Sequence, residues 1–201
     1  MKLIAKILSI LFHPLLLPTY AIAFIIYTNP YLFSVYQDRE WIFVIRVFIN
    51  TFLFPAVALF LIWKLGFLKD LTMPEREDRI IPYIVTGTLY VWAFITFRKS
   101  SDPQILNTVL LGSCIALFGC FFVNIFNKVS IHSAGIACMA VIVMFNTTMS
   151  SFDTRWVLLV IIFLAGLIGV SRQILKAHST TEVLGGYMIG IAAQLIAMRF
   201  M

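Results

Sequence analysis

From Gln104 to Phe126 the chain runs without a single charged side chain, and stretches of the same kind recur along most of its length. A helix needs about 20 mainly apolar residues to cross a bilayer, so these stretches are long enough to span. In a chain of 201 residues, 61% are hydrophobic and 12% charged, against roughly 25% charged in an ordinary soluble domain. No soluble core of this size hides that much apolar surface. Nor do the runs alternate polar and apolar residues, as the roughly 10-residue strands of a membrane barrel would. The sequence predicts an all-α, polytopic transmembrane helical bundle of six to seven spans. It excludes a soluble enzyme, a disordered chain and a disulfide-stapled secreted module. Cys114, Cys120 and Cys138 lie inside apolar runs with no metal-ligand spacing and read as packing residues.

Residues 1–17 carry Lys2, Lys6, His13 and Pro14 in apolar surroundings. No small-residue cleavage site follows them, so they read as an interfacial lead-in segment, with His13 at the interface. The first span is placed at Pro18–Tyr36, ended by Gln37, Asp38, Arg39 and Glu40, and the second at Trp41–Leu65, carrying Arg46, Asn50 and Pro55. The third to seventh are placed at Ile80–Phe97, Gln104–Phe126, Ser130–Met149, Thr154–Val170 and Thr180–Arg199. With no internal repeat and no long linker, residues 1–201 read as one transmembrane domain.

Seven spans put the amino terminus on the same face as the loops that follow spans two, four and six. That face collects Lys69, Arg76, Arg79, Lys128, His132, Arg172, Lys176 and His178, including two of only three histidines in the chain. The net charge of +6 would suggest nucleic acid in a soluble protein; in a membrane protein it points to topology or to an anionic ligand, and no nucleic-acid partner is expected. Guanidinium forks match phosphate oxygens, and imidazole serves as nucleophile or proton donor near neutral pH. If Lys69, Arg76, Arg79 and Arg172 serve a phosphate, the remaining cations divide evenly between the two faces. The positive-inside rule then does not decide which side carries the site.

The run from Ser171-Arg172 through His178 to Glu182 and Gly186 resembles the third signature of the type 2 phosphatidic acid phosphatase (PAP2) superfamily: Ser-Arg, five residues, His, three residues, Asp. Glu182 stands where that signature has Asp. Val129-Ser130-Ile131-His132 is similar to the second signature, Pro-Ser-Gly-His, keeping Ser and His. Lys69 to Arg76 resembles the first, Lys, six residues, Arg-Pro, with Glu77 in place of Pro; Arg79, three residues before Pro82, is a rival for the Arg role.

The resemblance implies an integral membrane, metal-independent lipid phosphatase without cofactors, in a bacterial inner membrane. Its substrate would be a phosphate monoester or pyrophosphate of a lipid, with phosphatidic acid, phosphatidylglycerol phosphate, a polyprenyl pyrophosphate and a phosphorylated lipid A all compatible. His178 would form a phosphohistidine, Glu182 would orient its ring, and His132 would protonate the leaving group and then activate water. Lys69, Arg76 or Arg79, Arg172 and Ser130 would bind phosphate oxygens. The residues also carry plainer readings. Ser179 and Glu182 have capping-box spacing, Ser130 is a helix N-cap by type, and Lys128 and Lys176 read as solvated. Gly186, Gly190, Ala193 and Ala197 form a close-packing stripe. The alternatives are a catalytically silent relative that binds or transports a phosphorylated lipid, and a small transporter using Arg46 and Asn50.

Overall fold

Backbone in hydrocarbon has no water to bond with, so it must satisfy its own polar groups, and a single chain of long apolar runs does this by forming helices. The computed structural model describes residues 1–200 apart from 37, 38, 69, 71, 72, 74, 101 and 151. Among the described residues there are nine α-helices and no strand: α1 (Lys2–Leu11), α2 (Leu17–Thr28), α3 (Trp41–Phe48), α4 (Phe54–Lys64), α5 (Ile80–Lys99), α6 (Gln104–Phe126), α7 (Ile131–Met149), α8 (Arg155–Ile174) and α9 (Thr180–Phe200). Among the described residues six helical segments are long and apolar enough to cross a membrane, α3 and α4 counting as one through the π-helical turn Ile49–Leu53. The protein is an integral membrane helical bundle. Its outer surface carries Trp156, Leu159 and Phe163, all exposed, which suits lipid.

The segment expected as the first span is shorter than placed. α2 has 12 residues, about 18 Å at 1.5 Å per residue, against a hydrocarbon core of about 30 Å. The chain leaves the helix at Asn29 (φ −136°, ψ 60°) because Pro30 disfavours helical geometry in the residue before it. Pro30–Tyr36 then forms a 3₁₀ turn. α2 lies beside α7 from Gly135, where it places Leu17, to Asn146, whose Oδ1 accepts from Asn29 Nδ2 at 2.6 Å.

Pro55 explains the π turn in the next span. It has no N–H for the carbonyl of Thr51, four residues earlier. Tyr90 of α5 donates its hydroxyl to that carbonyl at 3.1 Å, while the Thr51 hydroxyl turns to the carbonyl of Val47 at 2.9 Å. A kink that would leave an orphan acceptor therefore becomes a tie between two spans.

α9 packs between α6 and α7, and glycines set how closely. A Cβ at Gly186 would lie 2.3 Å from the Ser130 carbonyl oxygen, and one at Gly190 would lie 2.1 Å from that of Ala134. The small-residue stripe is thus where α9 touches the backbone of α7. Gly112 of α6 plays the converse part, leaving room for the buried Gln194 side chain of α9.

The loops sort to two ends. At one end Arg46 pairs with Asp102 at 2.8 Å and lies over the Phe97 ring at 4.3 Å, while Asn50 donates to the Arg46 carbonyl at 2.7 Å. These two polar residues stabilise the start of a span and its π turn. At the other end the α6–α7 connection meets both the α4–α5 loop and α9, through Arg76 on the Phe126 carbonyl and Ser130 N–H on the Glu182 carbonyl. The described signature residues lie there.

Candidate active site

The turn between α8 and α9 sets the central histidine. α8 ends as α4 does, with a residue in the left-handed region followed by paired bonds back to the last turn. At α4 this residue is Gly66 (φ 83°), with Gly66 N–H on Trp63 and Phe67 N–H on Ile62. At α8 it is Lys176 (φ 54°), with Lys176 N–H on Gln173 at 2.8 Å and Ala177 N–H on Arg172 at 3.0 Å. This is the Schellman arrangement, and a side chain there costs about 1–2 kcal/mol relative to glycine. The Arg172 carbonyl also accepts from His178 N–H at 3.3 Å. Two cation and imidazole positions six residues apart are thus joined through one backbone turn.

His178 is buried, with 3% of its side chain exposed, and its Nδ1 lies 2.7 Å from Glu182 Oε2. A carboxylate only accepts, so Nδ1 carries the proton and Nε2 the lone pair. Burial, with Arg79 and Arg172 nearby, lowers the His178 pKa to about 4 against the opposing pull of Glu182, so the ring is neutral at pH 7. Glu182 meets the helix start and the imidazole through different atoms. Its amide donates to the Ser179 hydroxyl at 3.4 Å as an N-terminal cap, but its carboxylate goes to His178 rather than back to the Ser179 amide.

The α1–α2 turn, α4, the start of α5, α6, α7 and the α8–α9 connection enclose a cleft lined by His13, Arg79, His132, Arg172 and His178 on its polar side and by Leu15, Leu59, Pro82, Leu117 and Ile131 among its apolar residues. His132, in the first turn of α7, lies with Nε2 3.2 Å from the Ser9 carbonyl oxygen. The carbonyl can only accept, so this nitrogen donates. Arg172 donates through one terminal nitrogen to the Ser9 hydroxyl at 3.3 Å, while its buried Nε has no hydrogen-bond partner among the described residues. Among the described residues no three His, Cys, Asp or Glu side chains form a group that could hold a metal ion.

Not every expected phosphate ligand reaches this cleft. Arg76 donates to the Ile125 and Phe126 carbonyls at 3.2 and 2.8 Å and pairs with Glu77 at 2.7 Å. It neutralises the carbonyl end of α6, with Asn124 returning a bond to the Arg76 carbonyl at 2.9 Å. The clamp fixes the 3₁₀ turn Glu77–Arg79, from which Arg79 enters the cleft. Of the two rivals for the first signature's arginine, Arg79 is therefore the one at the cleft. Ser130 is fully buried as the α7 N-cap, accepting from the Ser133 amide at 3.3 Å and the Ser133 hydroxyl at 2.9 Å; it is not among the cleft residues. Lys69 lies outside the described residues. Arg79→Ala is expected to lower kcat/KM for a phosphate ester about 100-fold. Arg76→Ala should lower it about 10-fold less and depress the melting temperature instead, as steady-state kinetics and thermal melts on the two variants would show.

One residue read as merely interfacial is at the centre. His13 lines the cleft, its ring meeting His132 edge to face with centroids 5.4 Å apart, and burial beside Arg172 lowers its pKa to about 4. The available signal was the scarcity of histidine together with a topology that already put the amino terminus on the motif face.

A bundle of membrane-spanning helices with a histidine- and arginine-lined cleft at one end is the class this arrangement defines. Residues 96–201 match the PAP2 superfamily, and the chain belongs to that superfamily, whose members are generally phosphatases acting on phosphorylated substrates. The matched stretch holds Ser130, His132, Arg172, His178 and Glu182; Ser9, His13, Arg76 and Arg79 precede it. Neither the curated proteins nor the solved structures include a match.

Proposed function

We propose that this protein is a membrane lipid phosphatase that hydrolyses a phosphate monoester or pyrophosphate through a phosphohistidine. The observation that carries the reading is the His178–Glu182 pair: a buried neutral imidazole, its Nδ1–H held at 2.7 Å, with its other nitrogen carrying the lone pair on a ring that lines the cleft beside two arginines. His178 Nε2 attacks phosphorus and the bond to the leaving oxygen breaks. That oxygen takes a proton from Nδ1 of His132, which enters this step doubly protonated and leaves it neutral. Water, deprotonated by His132, then attacks the phosphohistidine, and the P–N bond breaks to release phosphate and restore His178. With Nε2–H of His132 held by the Ser9 carbonyl, Nδ1 is the nitrogen left for proton transfer. Arg79 and Arg172 neutralise the charge that spreads over the equatorial oxygens, which leaves no step in need of a metal.

The shape of the cleft supports a lipid. At Pro14, Leu15, Leu117 and Ile131 it adjoins a second, apolar groove, whose walls include Tyr90, Val109, Met139 and Ile142. A phosphate at the histidines can thus carry a chain that leaves through hydrocarbon-like surroundings. A silent lipid-binding relative would share this shape, so turnover decides between them. The expected result is phosphate release in EDTA from at least one of phosphatidic acid, phosphatidylglycerol phosphate, a polyprenyl pyrophosphate or a phosphorylated lipid A, with His132→Ala accumulating acid-labile phosphate on His178. No release from any of the four would favour the silent reading, and release that requires added Mg²⁺ would overturn the metal-free mechanism.

A further inference from the structure

All three histidines of the chain line one cleft, yet the signatures account only for His132 and His178. His13 comes from the turn between α1 and α2, a segment that precedes the matched stretch. That turn is held on both sides. Leu16 N–H donates to the His13 carbonyl at 2.8 Å, and at the end of α1 the Ser9 hydroxyl and carbonyl meet Arg172 and His132 at 3.3 and 3.2 Å. The ring itself is oriented by Leu15, whose N–H donates to His13 Nδ1 at 3.3 Å. A ring nitrogen that accepts an amide proton carries none of its own, so in the neutral ring the proton is on Nε2. Among the described residues that Nε2 has no hydrogen-bond partner.

We propose that His13 is a third histidine of the phosphate site, donating its Nε2–H to a non-bridging oxygen of the bound phosphate. The proposal rests on the phosphatase reading and adds to it a ligand that none of the signatures contains. A neutral donor suits the place: beside Arg79 and Arg172 another cation would be repelled, whereas a fixed N–H gives a directional bond to a spreading negative charge. The amino-terminal helix then belongs to the catalytic unit, because it delivers this donor and, through Ser9, orients His132.

The test compares the full chain with His13→Phe, which keeps a ring against His132 but has no N–H, and His13→Gln, whose amide nitrogen reaches about as far as Nε2. Inorganic phosphate affinity is read by calorimetry in detergent, kcat and KM with short-chain phosphatidic acid, and folding by thermal melts. His13→Phe should bind phosphate about 10- to 100-fold more weakly and lose about 100-fold in kcat, while His13→Gln recovers most of both. Parent-like phosphate affinity in His13→Phe overturns the proposal, as does equal weakening in both variants, which would mark a packing role. The underlying reading fails separately: a parent that neither binds nor releases phosphate removes both, whereas an active parent silenced by His178→Ala but indifferent to His13→Phe removes only this one.

Discussion

His178→Ala is expected to release phosphate at least about 10⁴-fold more slowly than the parent, because loss of a covalent nucleophile removes the pathway rather than weakening it. The variant should still fold, since the imidazole borders the cleft and its side-chain bond partner, Glu182, is 24% exposed and keeps access to solvent. It should also still bind phosphate through Arg79 and Arg172. A protein as active as the parent would sink the mechanism. The pH profile of the parent carries a second signature. A nucleophilic histidine works only when neutral, and His178 is lowered to about 4 by burial and by Arg79 and Arg172. Activity should therefore hold as pH falls through the ordinary histidine range near 6.5 and be lost only near 4. Folding stability follows a related sign. The unfolded chain takes up a proton near 6.5 and the folded one only near 4, so His178 weakens the fold as pH falls across that window and not above it. Rates of short-chain phosphatidic acid hydrolysis across pH 3–8 would show the limb; an acid limb centred at 6.5 would mean that another group controls the first step.

The second large effect is steric. At Gly190 a Cβ would stand 2.1 Å from the Ala134 carbonyl oxygen and 2.8 Å from its carbon. These are backbone atoms of a neighbouring helix, which no rotamer change can move aside. α9 would have to retreat from α7, carrying His178 and Glu182 away from His132. Gly190→Ala is expected to cost about 3 kcal/mol, the upper part of the usual overpacking range, and Gly190→Val to yield no monodisperse protein. Gly166→Ala provides the comparison, since a Cβ there meets nothing within 4 Å; it should be neutral or stabilise by up to about 1 kcal/mol through helix propensity. Thermal melts and size-exclusion profiles in detergent read both, and a Gly190→Ala melting point equal to the parent's would contradict the close approach of the two helices.

The expected elements were legible to different degrees, for reasons visible residue by residue. The long spans follow from hydropathy alone, because burial in hydrocarbon acts on each run independently of its neighbours. The first span was overextended because its apolar character continues past Asn29-Pro30 while its helical geometry does not. The spacing from Arg172 through His178 to Glu182 was legible because one turn and one helical start join these residues locally. The choice between Arg76 and Arg79 was not, since both lie on the same short polar stretch and only the carbonyl end of α6, some fifty residues away, draws Arg76 off. Ser130 likewise has the right type for a ligand, but the hydroxyl of Ser133 and the α7 amide claim it.

The sequence by itself determined that this is a helical membrane protein, which of its ends is rich in cations, and the local frame of His178, because hydropathy and short-range spacing are properties of contiguous residues. Tertiary structure decided which cations reach the cleft, joined His13 and Ser9 to polar residues that otherwise begin at Arg79, and set the distance between α7 and α9. Those outcomes depend on which backbone groups distant segments present to one another, and no single stretch of chain carries that information.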